Sequence, residues 1–438
     1  MLINLFSLIF YGAWNPFYLL LIFYSAAIDY YCALAIQNRR HQAGLFLLLS
    51  LVSNLTLLAF FKYFNFFSTA LCDFSNLFNV PCQPQEIHLL LPIGISFYTF
   101  QTMAYTIDVY RKQLVATSNF NEYFCYVSFF PQLIAGPIER ASHLLPQIRK
   151  IGSGEQTDGD WRLGGSLIIR GLIKKVVVAD NLALFVDPVF ASMESYDLLT
   201  IALATFFFAI QIYCDFSGYT DIARGLASAI GIRLMENFNY PYIAVNIRDF
   251  WRRWHISLST WLRDYLYISM GGNQYGLRRT TLYLMITMLL GGLWHGASYN
   301  FILWGAYHGV LLTLNREGLI RLPFVLPNGL RWAGTMVLVL FGWFLFRLEN
   351  IGDLTVLAWK IRTILWGGGI TMIPSLLTLF AALFFIGITL WELKPTHGRI
   401  MPLMDRPVFG KPVLLGAIAA LYYLAAPGMD RVFIYFQF

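Results

Sequence analysis

Leu198-Leu-Thr-Ile-Ala-Leu-Ala-Thr-Phe-Phe-Phe-Ala-Ile-Gln-Ile-Tyr213 carries no charge, and the acids Asp215 and Asp221 follow it closely. So apolar a run predicts a helix through a bilayer, whose hydrocarbon core matches about 20 helical residues. The pattern repeats on both sides. Apolar runs predict further membrane segments at residues 5–35 (broken at Trp14-Asn15-Pro16), 45–64, 89–108, 281–293, 299–314, 332–346, 373–391 and 414–425. Residues 121–138 are apolar but interrupted by Pro131, Gln132 and Gly136-Pro137, with basic residues on both sides, and read as re-entrant. Residues 163–186 contain Arg170, Lys174 and Lys175 and read as a helix partly in the membrane interface. The fold expected is all-α and polytopic, with about ten to eleven transmembrane or re-entrant helices plus interfacial ones. Residues 1–438 read as one domain, and the N-terminus, lacking a basic leader, reads as part of the mature protein.

Composition agrees. Of 438 residues, 58% are hydrophobic and 13% charged, where soluble domains carry about 25% charged. The net charge of +7 does not imply nucleic acid, because the basic residues sit in short loops rather than in an arm. The positive-inside rule puts Arg39-Arg40 and Arg111-Lys112 in the cytoplasm and the loop up to about residue 87 outside. None of the five cysteines forms a CxxC pattern, so neither zinc nor redox chemistry is indicated. Cys72 and Cys82 flank the outer loop and are compatible with either a disulfide or two thiols.

Two stretches carry candidate chemistry. On one continuous helix, Arg248, Arg252, His255, Ser259 and Arg263 share a stripe about 80° wide, opposite a face of tryptophans and leucines. Asp249 with Arg253, and Thr260 with Asp264, form i,i+4 pairs on the remaining side. Forked guanidinium groups suit phosphate oxygens, so the stripe reads as a site for a phosphorylated donor; contact with anionic lipid headgroups is the simpler reading. The second stretch, Gly291-Gly-Leu-Trp-His-Gly-Ala-Ser298, ends an apolar run on His295. An ionisable side chain at membrane depth is costly and marks a functional-site candidate. A neutral imidazole can take the proton of an attacking hydroxyl; the alternative is a core histidine bonded to a neighbouring helix. His308 lies roughly 220° further round a continuous helix, off the face of His295, and reads as packing or support. Asp215 and Asp221 could orient a histidine or pair with an arginine. There is no Walker A, HExxH or GxSxG pattern, so phosphate-loop, metalloprotease and serine-hydrolase chemistry have no support, and no metal site is expected.

Phe250-Trp-Arg-Arg-Trp-His-Ile-Ser-Leu-Ser-Thr-Trp-Leu-Arg-Asp-Tyr-Leu-Tyr267 and Met288-Leu-Leu-Gly-Gly-Leu-Trp-His-Gly-Ala297 resemble signatures of the bacterial polysaccharide-O-acetylation branch of the membrane-bound O-acyltransferase (MBOAT) family. Leu91-Pro-Ile-Gly-Ile-Ser-Phe97, Leu133-Ile-Ala-Gly-Pro137, Asp215-Phe-Ser-Gly-Tyr219 and Glu236-Asn-Phe-Asn-Tyr-Pro241 are similar too, so the resemblance covers residues 89–347. It implies a ring of helices around a central tunnel in the bacterial inner membrane. It also implies His295 as the essential histidine and His255 as the second. Acetyl-CoA would be the cytoplasmic acyl-donor substrate, with no resident cofactor. A polysaccharide would be the acceptor, reached through an extracytoplasmic partner protein. Arg248, Arg252, Ser259, Arg263, Trp294 and Asp215 are the expected substrate-binding residues. Three other classes of reading remain: a sugar or lipid transporter, which inverted repeats would favour and none is seen; a non-catalytic scaffold; and D-alanyl transfer from a carrier protein.

Overall fold

The computed structural model describes residues 2–392 except 89, 156–158, 318–326 and 364–370, so the span expected at residues 414–425 lies outside the described residues. Every regular element described is helical. The first long apolar run is divided as Pro16 predicts. Helix α1 (Leu2–Gly12) stops, the Asn15 side chain accepts from Phe17 N to cap a short turn at Pro16–Tyr18, and α2 (Leu19–Asn38) begins. Helix α3 (Ala43–Leu58) continues through a π-turn, Ala59–Tyr63, into α4 (Phe64–Leu77). Cys72 and Cys82 are bonded, fastening the end of α4 to the loop that follows.

Then come α5 (Ile95–Tyr110), α6 (Phe120–Ser128) and α7 (Ala141–Gly152). The nine residues of α6 make about 14 Å of helix, under half the hydrocarbon thickness, which agrees with a segment that enters without crossing. Helices α8 (Trp161–Leu172) and α9 (Asp180–Ala191) are joined by a π-stretch, Ile173–Ala179. Helix α10 (Leu198–Ala229) is twice as long as the run that predicts it and holds Asp215 and Asp221 within it. Two short helices, α11 (Ile247–Arg253) and α12 (Ile256–Trp261), lead through a π-turn at Leu262–Tyr267 to α13 (Gly276–His295). Helices α14 (Tyr299–Glu317), α15 (Asn328–Arg347), α16 (Asp353–Arg362) and α17 (Leu376–Glu392) follow.

Four described helical stretches are long and apolar enough to cross a membrane: Pro16–Asn38, Arg40–Leu77, Leu198–Ala229 and Asn328–Arg347. The other expected spans are shorter or carry charge. Helix α5, for example, is 16 residues long and buried along almost its whole length.

Residues 163–186 span most of α8, the π-stretch and the first part of α9, and one side of them packs inward. Helix α8 packs closely along α10, where a Cβ on Gly171 would come within 2.4 Å of Gly218 O and one on Gly225 within 2.6 Å of Gly164 O. The basic residues turn into this seam. Arg170 and Lys174 hold Asp221 at 2.6 and 2.7 Å, and Lys175 holds Asp215 at 2.7 Å. The charges that interrupt this apolar stretch in the sequence are paired across two helices, which makes them tolerable there.

The core has two large apolar clusters, one built on α2, α5 and α6 and one on α9, α10, α14 and α15. A smaller third cluster, with Phe97, Phe100, Leu258, Trp261 and Trp294, surrounds the segments that bring the candidate residues together.

Candidate active site

The stretch 248–268 is not one helix. It breaks at His255, whose φ of +41° lies in the left-handed region. The break is fixed from outside. Ile256 N donates to Asn237 O (2.9 Å), Ser257 N and Oγ both donate to Asn237 Oδ1, and Ser257 Oγ accepts from Ile138 N (3.0 Å). The predicted single stripe is therefore split. Arg248, Arg252 and Arg263 are exposed, whereas His255 turns inward and is fully buried. Asp249 and Arg253 form the expected i,i+4 pair at 3.0 Å. Thr260 and Asp264 do not pair: Thr260 Oγ1 donates to Ile256 O, and Asp264 is held by Arg140 (3.1 Å) and Arg263 (2.7 Å). Among the described residues Arg248 and Arg252 make no ion pair, so they remain open to an anion. Ser259 Oγ donates to Trp254 O, closing the kink rather than facing outward.

His295 ends α13 and is 5% exposed. Its ring lies 6.4 Å from that of His255, centroid to centroid, with Trp294 beside both at 5.0 and 5.7 Å. Trp304 and Phe346 face it edge-on at 5.1 and 5.2 Å. Phe216 sits edge-on to His255 at 4.6 Å. The two imidazoles thus meet in an aromatic surround where water is scarce and a developing charge is felt strongly.

His308 is nearer than a continuous helix allows. The chain leaves α13 at Gly296 in extended backbone, and a Cβ there would strike the Phe301 ring at 2.1 Å. It then reverses into α14, which packs back on α13, so His308 reaches the same cluster with its ring 4.9 Å from Trp304. Asp215 is instead tied to Lys175, and Lys175 also reaches Asp180 at 2.9 Å. This carboxylate is engaged in the α8–α10 seam, and its chain neighbour Phe216 is what touches His255.

A cavity of about 40 Å³ meets His295 from the side of the loop before α5, lined by Lys62, Leu91 to Phe97, Ile134, Trp294 and His295. That is room for a group the size of a few waters. The loop stays close because Gly94, at φ +79°, lets its backbone come against Leu133 O, which a Cβ would meet at 2.5 Å.

Sequence reasoning overlooked Lys62, which lies in the cavity wall and donates to Trp294 O (2.7 Å), His295 O (3.2 Å) and Ser96 Oγ (3.4 Å). The signal was present: Lys62 is the single charge in Phe60-Phe-Lys-Tyr-Phe-Asn-Phe66, inside an apolar run.

A polytopic helical fold with four long apolar helical stretches, and with His295 buried in the wall of a small cavity, defines an integral membrane protein. Comparison with known proteins makes this specific. Residues 8–352 match the model of the membrane-bound O-acyltransferase family, and the chain belongs to that family. The match begins at residue 8, well before the quoted motifs, and so also takes in α2, α3 and α4. The chain is 43% identical over 84% of its length to the protein named "Probable alginate O-acetylase AlgI" of Pseudomonas aeruginosa, spanning 70% of that protein. It is 38% identical over 79% of its length to the peptidoglycan O-acetyltransferase of Helicobacter pylori, again spanning 70% of it. It is 29% identical over 52% of its length to the teichoic acid D-alanyltransferase of Bacillus subtilis, spanning 61% of that relative.

Proposed function

We propose that this acyltransferase O-acetylates an extracytoplasmic polysaccharide, with His295 as general base and acetyl-CoA as donor. Membership of the acyltransferase family supports the reaction class, and the relatives named for O-acetylation match more of the chain, at higher identity, than the D-alanyltransferase does. The observation that carries the reading is the position of His295, buried beside His255 yet in the wall of a cavity.

The loop between α4 and α5 holds no Lys or Arg and is crosslinked by Cys72–Cys82, which suits the oxidising, non-cytoplasmic side of a bacterial inner membrane. The cavity then admits the acceptor hydroxyl from outside, either of the polymer or of a partner protein that passes the acetyl on. The donor enters from the opposite side through the tunnel expected of the family, its phosphates near Arg248, Arg252 and Arg263. As the hydroxyl oxygen attacks the thioester carbonyl, its proton passes to the His295 imidazole. The carbon–sulfur bond breaks, the CoA thiolate takes a proton, and the ester is released outside. His255 orients the donor or polarises its carbonyl.

The test is transfer of radiolabelled acetyl from acetyl-CoA into envelope polymer by membranes carrying wild type or His295→Ala at equal protein levels. Labelling by wild type and its loss in the variant is expected. Equal labelling by both would remove His295 as the base. If labelled D-alanine on a carrier protein is transferred where acetyl is not, the acyl assignment is overturned.

A further inference from the structure

The C-terminal carbonyls of a helix have no partner within the helix and need one from elsewhere. At the end of α13 three successive carbonyls find theirs in two adjacent side chains of another helix. Tyr63 OH donates to Leu293 O at 2.9 Å, and Lys62 Nζ donates to Trp294 O at 2.7 Å and to His295 O at 3.2 Å. The third hydrogen of the ammonium reaches Ser96 Oγ at 3.4 Å, in the cavity wall. Both side chains belong to the π-turn Ala59–Tyr63 between α3 and α4. Such a turn inserts one residue into the helical ladder, re-aims the side chains around it, and recurs at functional sites. Lys62 Nζ also lies at the negative end of the α13 dipole, where a positive group is favoured.

We infer that Lys62 and Tyr63 form a clamp across the end of α13 that positions His295 in the cavity. This rests on the reading of His295 as the base. Lys62 is a positioning residue: it touches the backbone that carries the imidazole, not the imidazole itself. Without the ammonium, the last turn of α13 loses two of its three external partners and His295 is free to shift within the aromatic surround. A shift near 1 Å lowers turnover by about 100-fold in well-organised sites. A lysine placed there solely to support the fold would instead affect the amount and melting temperature of the protein.

The experiment compares the full chain with Lys62→Met, Lys62→Arg and Tyr63→Phe, reading kcat and donor KM for acetyl transfer, melting temperature in detergent, and the rate at which diethyl pyrocarbonate modifies His295, followed by mass spectrometry. Lys62→Met is expected to lower kcat by about 10- to 100-fold with KM within about twofold. Modification of His295 should become several-fold faster. Lys62→Arg is expected to recover a substantial part of kcat, and Tyr63→Phe to lose less. Unchanged kcat in Lys62→Met overturns the clamp, as does a fall in kcat and melting temperature together without rescue by arginine. If wild type transfers no acetyl, it is the acetyltransferase reading that fails. The modification rate then decides the clamp alone, and equal rates in wild type and Lys62→Met refute it.

Discussion

Substituting Gly292 tests whether the distance between α13 and α14 sets the activity. A Cβ at this position would lie 2.2 Å from Phe301 O and 3.1 Å from Gly305 Cα, both backbone atoms that no rotamer change can move. Ordinary contact begins near 3.4 Å, so Gly292→Ala forces the helices apart by roughly 1.2 Å at this crossing. Gly292 lies one turn before His295, so the displacement carries into the imidazole. Overpacking of this kind costs about 1–3 kcal/mol of stability, and misplacement near 1 Å costs about 100-fold in turnover. Gly334→Ala on α15 is the control, because nothing lies within 4 Å of its added methyl group. Acetyl transfer in membranes, with protein level and detergent melting measured alongside, reads both. If Gly292→Ala retains activity within about threefold of wild type, the close crossing does not position His295 and the reasoning fails.

Other predictions are independent of that crossing. His255→Asn is expected to melt above His255→Ala by about 1 kcal/mol, because asparagine accepts the left-handed backbone at φ +41° that alanine resists, while both lose most acetyl transfer; equal melting would refute it. Asp221→Asn strips Arg170 and Lys174 of their shared carboxylate and should destabilise by about 3–5 kcal/mol in thermal unfolding, a much larger effect than loss of an exposed pair. Cys72 and Cys82 should resist maleimide until reductant is added, and Cys82→Ser should cost about 3 kcal/mol as the closed loop is released. The His143 imidazole, held by a hydrogen bond to buried Glu139, has its pKa raised above the usual histidine value. Its contribution is therefore full below about pH 6.5, is lost as pH rises through the raised value, and should vanish in His143→Gln; half exposed, it amounts to less than about 1 kcal/mol.

What the sequence revealed divides by the range of the interactions. His295 is legible because a lone imidazole at the end of an apolar run violates a local rule, and Pro16 marks its helix start for the same reason. His255 is legible as a candidate, but its inward direction is not. A helical wheel assumes a continuous helix, and the left-handed turn is imposed by Asn237 and Ile138, far away in the chain. His308 looks misplaced on the wheel because the reversal at Gly296 cannot be seen in periodicity. Arg170, Lys174 and Lys175 read as marks of a partly interfacial helix because Asp221 and Asp215, which pair with them, lie at least forty residues away on α10. Lys62 disappears into the average hydropathy of its run, although its three partners make it one of the best-anchored charges near the site.

The rings around the two histidines have a consequence for the cell as well as for the chemistry. If the acetyl group is handed from one side of the membrane to the other as proposed, protons are offered the same route. Trp294, Trp304, Phe346 and Phe216 fill the space about the imidazoles with surfaces that cannot relay a proton. On the proposed mechanism, the packing that keeps water from the acyl group therefore also acts as insulation. Trimming it, for instance with Trp304→Ala, should make the membrane leak its proton gradient, which a potential-sensitive dye in vesicles would register without any acetyl donor present.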